Sequence, residues 1–251
     1  MRKTLLVTAL SATLFALGAP IALAQQAEST LQLILELHIV PGQEAEFEAI
    51  DQARNERMAE GNVTFATRLD VREGVPWVYH QTTYGLENLA ALDERQAQLD
   101  AMSNPNPGNA RGIIHHIESS VRRTRPDLSY FPDSPRVLFG QAGFDRVINI
   151  YLPFGAQSDA EALIGQIRSL YEERGISSAF SVTASVTGSG PDFQVIAPAR
   201  DVADSYAENT RMTDQLGEDL QSLNARMGAL ARRIEIEHRT PRRHLYYQPS
   251  N

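Results

Sequence analysis

Histidines and glutamates in the first half of the chain are the residues best suited to chemistry. Four of the six histidines lie there: His38, His80, His115 and His116. Glu36 precedes His38 by two residues and Glu118 follows His116 by two, a spacing that places each pair on one face of a β-strand. A histidine beside a carboxylate can exchange a proton near neutral pH. We therefore predict His38 and His80 as catalytic bases, oriented by Glu36 or Glu118.

Two other roles are open for this cluster. Three imidazoles with carboxylates also suit a divalent transition metal. However, the sequence has no His-x-x-x-His spacing, and the adjacent His115 and His116 should point to opposite faces of a strand. No metal site is predicted on these grounds. The third role is a hydrogen-bonded polar network or a solvated strand face, with one or more histidines turned outward.

The composition excludes several classes of function. The chain has no cysteine, which excludes disulfides and thiolate catalysis, and its only lysine is Lys3. No Gly-x-Ser-x-Gly, P-loop or dinucleotide-binding motif occurs. The 23 basic residues are outnumbered by 31 acidic ones, which gives a net charge of −8. This balance argues against nucleic acid and anionic membranes as partners.

The N-terminal residues predict export. Arg2 and Lys3 precede an apolar run, and Ala22 and Ala24 form a small-x-small cleavage site before Gln25. This pattern is typical of a secretory signal peptide, predicted over residues 1–24. We expect a mature protein in the periplasm or secreted, with no membrane attachment after cleavage.

Hydrophobic patterns predict the elements that position the histidines. Residues 31–40 alternate strictly between two faces, which is typical of a strand, and Pro41 and Gly42 end it. A helix is predicted up to about Glu60, followed by a hairpin within "TFATRLDVREGVPWVYHQTTYG". A second helix is predicted from about Leu86 to Met102, and "GIIHHIESSV" as a fourth strand. The predicted order is βαββαβ.

The same order recurs in the second half. "DRVINIYLPFG" predicts a strand, and it is followed by a helix up to Gly175, a hairpin, helical sequence from Asp201 to about Leu230 in two pieces, and the strand "ARRIEIEHR". Gly155 and Gly175 keep nearly the separation of Gly42 and Gly61. A repeat of this length indicates domain duplication rather than a solenoid. We predict one unit over residues 30–124, a second over 145–251, and a proline-rich linker over 125–144.

The first strand-to-helix junction, "VPGQEAEF", resembles the antibiotic-biosynthesis-monooxygenase-like group of the dimeric α+β barrel superfamily. The resemblance implies an α+β fold in which two ferredoxin-like βαββαβ units close their sheets face to face as an intramolecular version of the dimeric barrel. Such a chain is expected as a monomer with a pseudo-dimeric barrel, or as a higher homo-oligomer. Heme-degrading members carry an iron-binding histidine on the second helix of the unit, which residues 86–102 and 201–230 lack. No cofactor is expected.

Strand alternation predicts which side chains line the space between the two sheets. The aliphatic faces should lie under the helices, where burial stabilises most, and the mixed faces should then line a shared cavity. The predicted lining is Ile34, Glu36, His38, Val78, His80, Thr82, Ile114, His116 and Glu118 from the first half, and Val147, Asn149, Tyr151, Gln194, Ile196, Arg233, Glu235 and Glu237 from the second. As ligand-binding residues we predict His116, Asn149, Tyr151, Arg233 and Glu235, with Tyr84 at the rim.

Three functions are compatible with this arrangement. The first is an exported protein that binds a small, partly apolar molecule between its sheets without turnover. The second is a cofactor-independent monooxygenase or isomerase that uses a His/Glu pair in the barrel. The third is a structural module whose barrel is filled by side chains.

Overall fold

The computed structural model describes residues 29–102 and 110–249. The signal peptide predicted over residues 1–24 lies outside the described residues. No helix within the described ranges is both long enough and apolar enough to cross a membrane.

The first half contains four strands and three helices. In chain order, these elements are β1 (Leu31–Ile39), α1 (Glu44–Glu60), β2 (Ala66–Arg72), β3 (Val78–Leu86), α2 (Ala90–Ala101), the single-turn α3 (Ala110–Ile113) and β4 (Ile114–Thr124). The strands confirm the sequence prediction, but α2 begins later than predicted. Gly85 has a φ of 81°, and the Asn88 side chain accepts a hydrogen bond from the backbone N–H of Ala90 at 2.9 Å. This bond satisfies one of the free N–H groups at the start of the helix.

The second half repeats the order of strands and long helices. Its elements are β5 (Phe144–Tyr151), α4 (Gln157–Glu173), β6 (Ser181–Gly188), β7 (Phe193–Ala199), α5 (Val202–Leu230) and β8 (Arg233–Pro241). The break predicted within the last helix is at Gly217, whose φ of 51° and ψ of −135° interrupt α5. A single turn of 3₁₀ helix at Phe139–Gln141 precedes β5, and another at Arg243–Leu245 follows β8.

The eight strands form one closed antiparallel barrel. Its strand order is β1-β3-β2-β8-β5-β7-β6-β4. Two seams join the halves: residues 70–72 of β2 pair with residues 239–241 of β8, and residues 120–124 of β4 pair with residues 183–188 of β6. Closure leaves the sheet without an exposed edge, so each seam is also where the first half contacts the second.

Apolar side chains on the outer face of the barrel pack against the helices. In the first half, Leu37 and Ile39 of β1 lie in one cluster with Phe47 of α1. In the second half, Ile150, Val182, Phe193, Leu163, Ile164 and Met212 form the corresponding cluster. Burial of this surface contributes about 25 cal/mol per Å². The apolar outer face leaves the alternate, polar residues of each strand pointing into the barrel.

The close approach of backbones at the β4–β6 seam gives a test of closure. A Cβ atom added to Gly188, whose φ is 95°, would lie 2.3 Å from the carbonyl oxygen of Ser119. Gly155 has a similar φ of 86° but open space around it. We expect Gly155→Ala to cost about 1 kcal/mol from the positive φ alone, and Gly188→Ala to cost more than about 2 kcal/mol because the seam must also separate. Urea unfolding of both variants measures the difference, and equal costs would contradict this seam.

Candidate functional site

The inner face of the barrel carries an unusual number of buried ionisable side chains. Six of them are at most 6% exposed: Asp70, His80, Arg122, Asp145, Glu237 and Arg239. A charge removed from water is costly unless it is paired and hydrogen-bonded. The partners of these groups therefore determine how they are arranged. The groups and their partners form two main clusters, and Arg122 lies apart from both.

The first cluster joins β2 to β5 through Arg68. Its Nε donates to Asp70 Oδ1 at 2.8 Å, and its Nη2 donates to Asp145 Oδ2. Tyr246, beyond β8, donates its hydroxyl to Asp70 Oδ1 at 3.0 Å. Burial raises the pKa of Asp145 even though Arg68 opposes the shift. One arginine of the first half thus holds a fully buried carboxyl group of the second.

The second cluster is centred on Glu237 of β8. His80 of β3 places Nε2 2.6 Å from Glu237 Oε1, and Arg239 donates from Nε to the same oxygen at 2.6 Å. Asn149 of β5 donates to Glu237 Oε2 at 3.4 Å, and Gln194 of β7 donates to Asn149 Oδ1 at 2.9 Å. Four strands, three of them from the second half, therefore fix the position of the His80 ring.

The protonation states of this cluster follow from its surroundings. Burial favours a raised pKa for Glu237, but Arg239 and His80 outweigh burial and hold that pKa far below its ordinary value. Burial, reinforced by Arg239, lowers the pKa of His80. At neutral pH the pair is thus an ionised glutamate and a neutral imidazole. A carboxylate only accepts hydrogen bonds, so the close contact with Glu237 favours the tautomer with the proton on Nε2. The two groups are 2.6 Å apart but do not meet the geometry of a hydrogen bond.

A cavity of about 220 Å³ lies inside the barrel, where the strands of the two halves face each other, beside this cluster. Nine of the residues predicted to line the barrel line this cavity: Ile34, Glu36, His80, Glu118, Asn149, Tyr151, Gln194, Glu235 and Glu237. Nδ1 of His80 lies 3.8 Å from Glu36 Oε2, so this nitrogen faces a cavity-lining carboxylate. The cavity is smaller than the roughly 300 Å³ at which pockets for drug-sized ligands begin.

His38 and His116 lie next to the cavity lining. His38 Nε2 is 3.0 Å from Glu36 Oε1, and His116 Nε2 is 3.3 Å from Glu118 Oε1. The glutamates are lining residues, so both histidines contact the cavity through them. His38 thus contacts Glu36, one of the two carboxylates expected to orient the histidines, whereas the nearest carboxylate to His80 is Glu237.

The remaining residues predicted to bind a ligand lie at two different cavities. The guanidinium of Arg233 lies 3.9 Å from the ring centroid of Tyr151 and 3.4 Å from Glu235 Oε1, so these three residues form one group at the cavity. Tyr84 is not brought to this group. It lines a separate cavity of about 90 Å³ with Arg68 and other residues.

Sequence reasoning missed three arginines in the cavity lining: Arg72, Arg122 and Arg239. Arg122 donates from Nε to Thr183 Oγ1 at 2.8 Å and from Nη1 to the Pro191 carbonyl at 2.7 Å. Burial, reinforced by Arg239, lowers the pKa of Arg122 to about 10. A signal existed for two of the arginines. Arg122 lies four residues after Glu118, and Arg239 two after Glu237, so extending the alternation would have placed both inside.

A second, more apolar cavity lies outside the barrel. It has a volume of about 370 Å³ beneath α4 and α5, and is lined by residues that include Ile148, Ile164, Ala197, Met212 and Met227. It shares no lining residue with the cavity between the sheets. The two spaces therefore differ in chemistry and can be altered separately.

Comparison with known proteins identifies the fold. No protein-family model matches the chain, and no curated protein matches its sequence. Solved structures do match. A candidate monooxygenase from Lactobacillus acidophilus superposes with a TM-score of 0.57 at 8% identity, over 89% of this chain and 98% of that one. An anthrone oxidase-like protein superposes with a TM-score of 0.58 at 11% identity, over 86% and 92%.

A chlorite dismutase variant from Candidatus Nitrospira defluvii matches with a TM-score of 0.55 at 11% identity, over 89% of this chain and 96% of that one. All three have the dimeric α+β barrel fold, and this chain has the same fold. The resemblance predicted from "VPGQEAEF" is confirmed at the level of fold. Identities this low say nothing about the reaction.

The buried His80 gives a pH-dependent stability. Because folding lowers its pKa, the unfolded chain binds a proton at a higher pH than the folded chain does. The His80 contribution is therefore complete above about pH 6.5 and is lost as the pH falls below it, by at most about 1.4 kcal/mol per pH unit for one proton. We expect His80→Gln to flatten the decline in unfolding free energy between pH 7.5 and 5.

Urea unfolding across this pH range measures the effect. His244→Gln is the matched control, because it removes an imidazole whose side chain is 60% exposed, and it should keep the wild-type dependence. A His80→Gln variant with the wild-type dependence would contradict the buried, neutral state of His80.

Proposed function

We propose that the protein binds a small molecule in the polar cavity inside its barrel, between the strands of the two halves. The observation that carries this proposal is the cavity of about 220 Å³ that opens from the inside of a closed barrel to solvent, past the half-exposed Glu118 and Glu235. A purely structural barrel would be expected to fill such a space with side chains, because an unfilled interior loses dispersion contacts. The space is also polar enough and large enough to hold several waters, which a ligand can displace.

The lining suggests the chemistry of the ligand. Glu36 and Glu118 present acceptors from one wall, while the buried guanidinium of Arg122, which is bonded to Thr183 and Pro191, adds positive charge to the lining. Apolar surface is limited to a few residues, such as Ile34, Tyr151 and Pro191. We favour a compact molecule that both donates and accepts hydrogen bonds, with a small apolar part of the kind that the sequence suggested.

The proposal also covers the fusion of two units into one chain and the export of the protein. Each half contributes four consecutive strands to the one barrel, which supports two fused ferredoxin-like units in place of a dimer of separate chains. Export through the signal peptide predicted over residues 1–24 would place the mature protein in the periplasm or outside the cell. N-terminal sequencing of protein purified from its own source tests the cleavage after residue 24.

Catalysis is the second candidate function, and the His80–Glu237 pair favours it. Glu237 lies 2.6 Å from Nε2, while Nδ1 faces the cavity-lining Glu36 and would be the base in the tautomer that carries its proton on Nε2. Such a base can take a proton from a bound carbon or oxygen acid, and general-base catalysis typically contributes 10²–10⁴-fold. This is the first step expected of a cofactor-independent isomerase or oxygenase. In that case His80→Gln should remove turnover of an identified ligand and retain its binding.

Filling one cavity at a time tests the binding site. Ser120 lines the cavity between the sheets and Ala197 lines the apolar cavity under the helices. A small molecule bound in the polar cavity should co-purify with the wild-type protein from its own source. We expect Ser120→Phe to abolish this co-purification, because the phenylalanine ring occupies the polar cavity. Ala197→Phe should retain it. Native mass spectrometry of the three proteins gives the measurement.

The opposite pattern, with the ligand lost from Ala197→Phe and kept by Ser120→Phe, would move the binding site to the apolar cavity. The absence of any co-purifying molecule from wild-type protein, with no loss of stability in Ser120→Phe, would favour the structural role.

A further inference from the structure

Four residues form a square on neighbouring strands beside the cavity. His38 of β1 is the direct cross-strand partner of His116 of β4, and Glu36 is the partner of Glu118 two residues further along. Residues two apart on a strand share a face, and direct cross-strand partners have Cβ atoms about 4.5–5.5 Å apart. Two imidazoles and two carboxylates are therefore held together by the regular pairing of β1 with β4.

The side chains of this square converge. The ring centroids of His38 and His116 are 5.2 Å apart. One potential ligand atom from each of His38, His116 and Glu118 lies within 4.8 Å of the others. Small rotations of side chains that are partly exposed would bring three donors to the roughly 2.0–2.2 Å that a zinc-like ion requires.

The charges of the square are not balanced by arginine. Among the residues that the structure describes, neither Glu36 nor Glu118 forms an ion pair with an arginine. Glu36 contacts His38 and His80, and Glu118 contacts His116 and the hydroxyl of Ser189. The other inner-face carboxylates each have an arginine partner: Asp70 and Asp145 have Arg68, Glu235 has Arg233, and Glu237 has Arg239. Two carboxylates surrounded by imidazoles match the double charge of a divalent cation.

We propose that His38, His116 and Glu118 form a binding site for a divalent transition-metal ion. Two imidazole nitrogens and one carboxylate are donors that suit Zn²⁺, Fe²⁺ or Mn²⁺ and leave coordination positions open. Glu118 lines the cavity, so the open positions face the proposed ligand. Glu36 is the carboxylate that can accept a hydrogen bond from the His38 nitrogen that does not bind the ion, and thereby orient the ring.

An irregularity in β4 gathers a third histidine at the site. The pairing of β1 with β4 shifts between His38 and Ile39, so His115 is the extra residue on β4. Its ring centroid lies 5.9 Å from that of His38. The simple alternation that predicted opposite sides for His115 and His116 does not hold across this bulge, and that argument against a metal site is removed. His115 neighbours the site and is not among its three ligands.

Metal titration of the chelator-treated full-length protein tests the site. We expect one Zn²⁺ per chain by isothermal titration calorimetry. His38→Gln, His116→Gln and Glu118→Gln should each weaken Zn²⁺ binding by at least about 100-fold, the upper range seen for loss of outer-shell partners. His244→Gln, at an exposed position outside the barrel, should bind as wild type does, and His115→Gln should change the affinity less than about 10-fold.

Co²⁺ gives a readout that needs no variant. Bound at this site, it should broaden the ring signals of His38 and His116 before those of His80 and His244 in NMR spectra of the wild-type protein. Zn²⁺ binding that is unchanged in all three ligand variants, no saturable binding, or Co²⁺ broadening centred elsewhere would overturn the site. The titration requires no bound small molecule, so its outcome is separate from that of the cavity-filling experiment.

Discussion

The structure depends on one constraint: charges buried inside the barrel must find partners, and several of those partners come from the opposite half of the chain. Arg68 of β2 holds Asp145 of β5, and His80 of β3 contacts Glu237 of β8. Breaking a buried pair by removing one partner typically costs 3–5 kcal/mol. The β2–β8 seam has only three residue pairs, so these side chains add contact between the halves where the strand pairing is short.

The same constraint distinguishes the inner-face carboxylates that are held by arginine from those that remain available to bind a ligand. Glu237 is paired with Arg239 and contacts His80, while burial and Arg239 lower the pKa of the His80 ring. Glu36 and Glu118 have no arginine partner within the described part of the chain, and they face the cavity together with His80. The structural and the functional residues thus belong to one network. Carboxylates that have an arginine partner are structural, and those that have none are available for function.

Much of this could be predicted from the sequence, because strand alternation is a local property. The apolar face of β1 and the inward direction of Glu36, His80 and Glu118 followed from period two alone. The partners did not. Arg68 and Asp145 lie 77 residues apart, and β2, "ATRLDVR", has the alternation of an ordinary solvated strand. Only closure of the barrel shows that its charged face is buried.

The bulge at His115 and the pairing of His80 with Glu237 were unpredictable for a related reason. Both result from the registers between strands, which depend on the packing of the whole barrel rather than on either strand. The sequence therefore indicated which residues face the interior, and the structure shows how they pair.

A double-mutant cycle on Arg68 and Asp145 tests the central claim most directly. If buried pairs between the halves hold the barrel together, Arg68→Met and Asp145→Leu should each cost about 3–5 kcal/mol, while the double variant costs at least about 2 kcal/mol less than their sum. Urea unfolding at neutral pH measures all four proteins. Costs that add within about 0.5 kcal/mol would show that the two groups act independently, and would contradict the account.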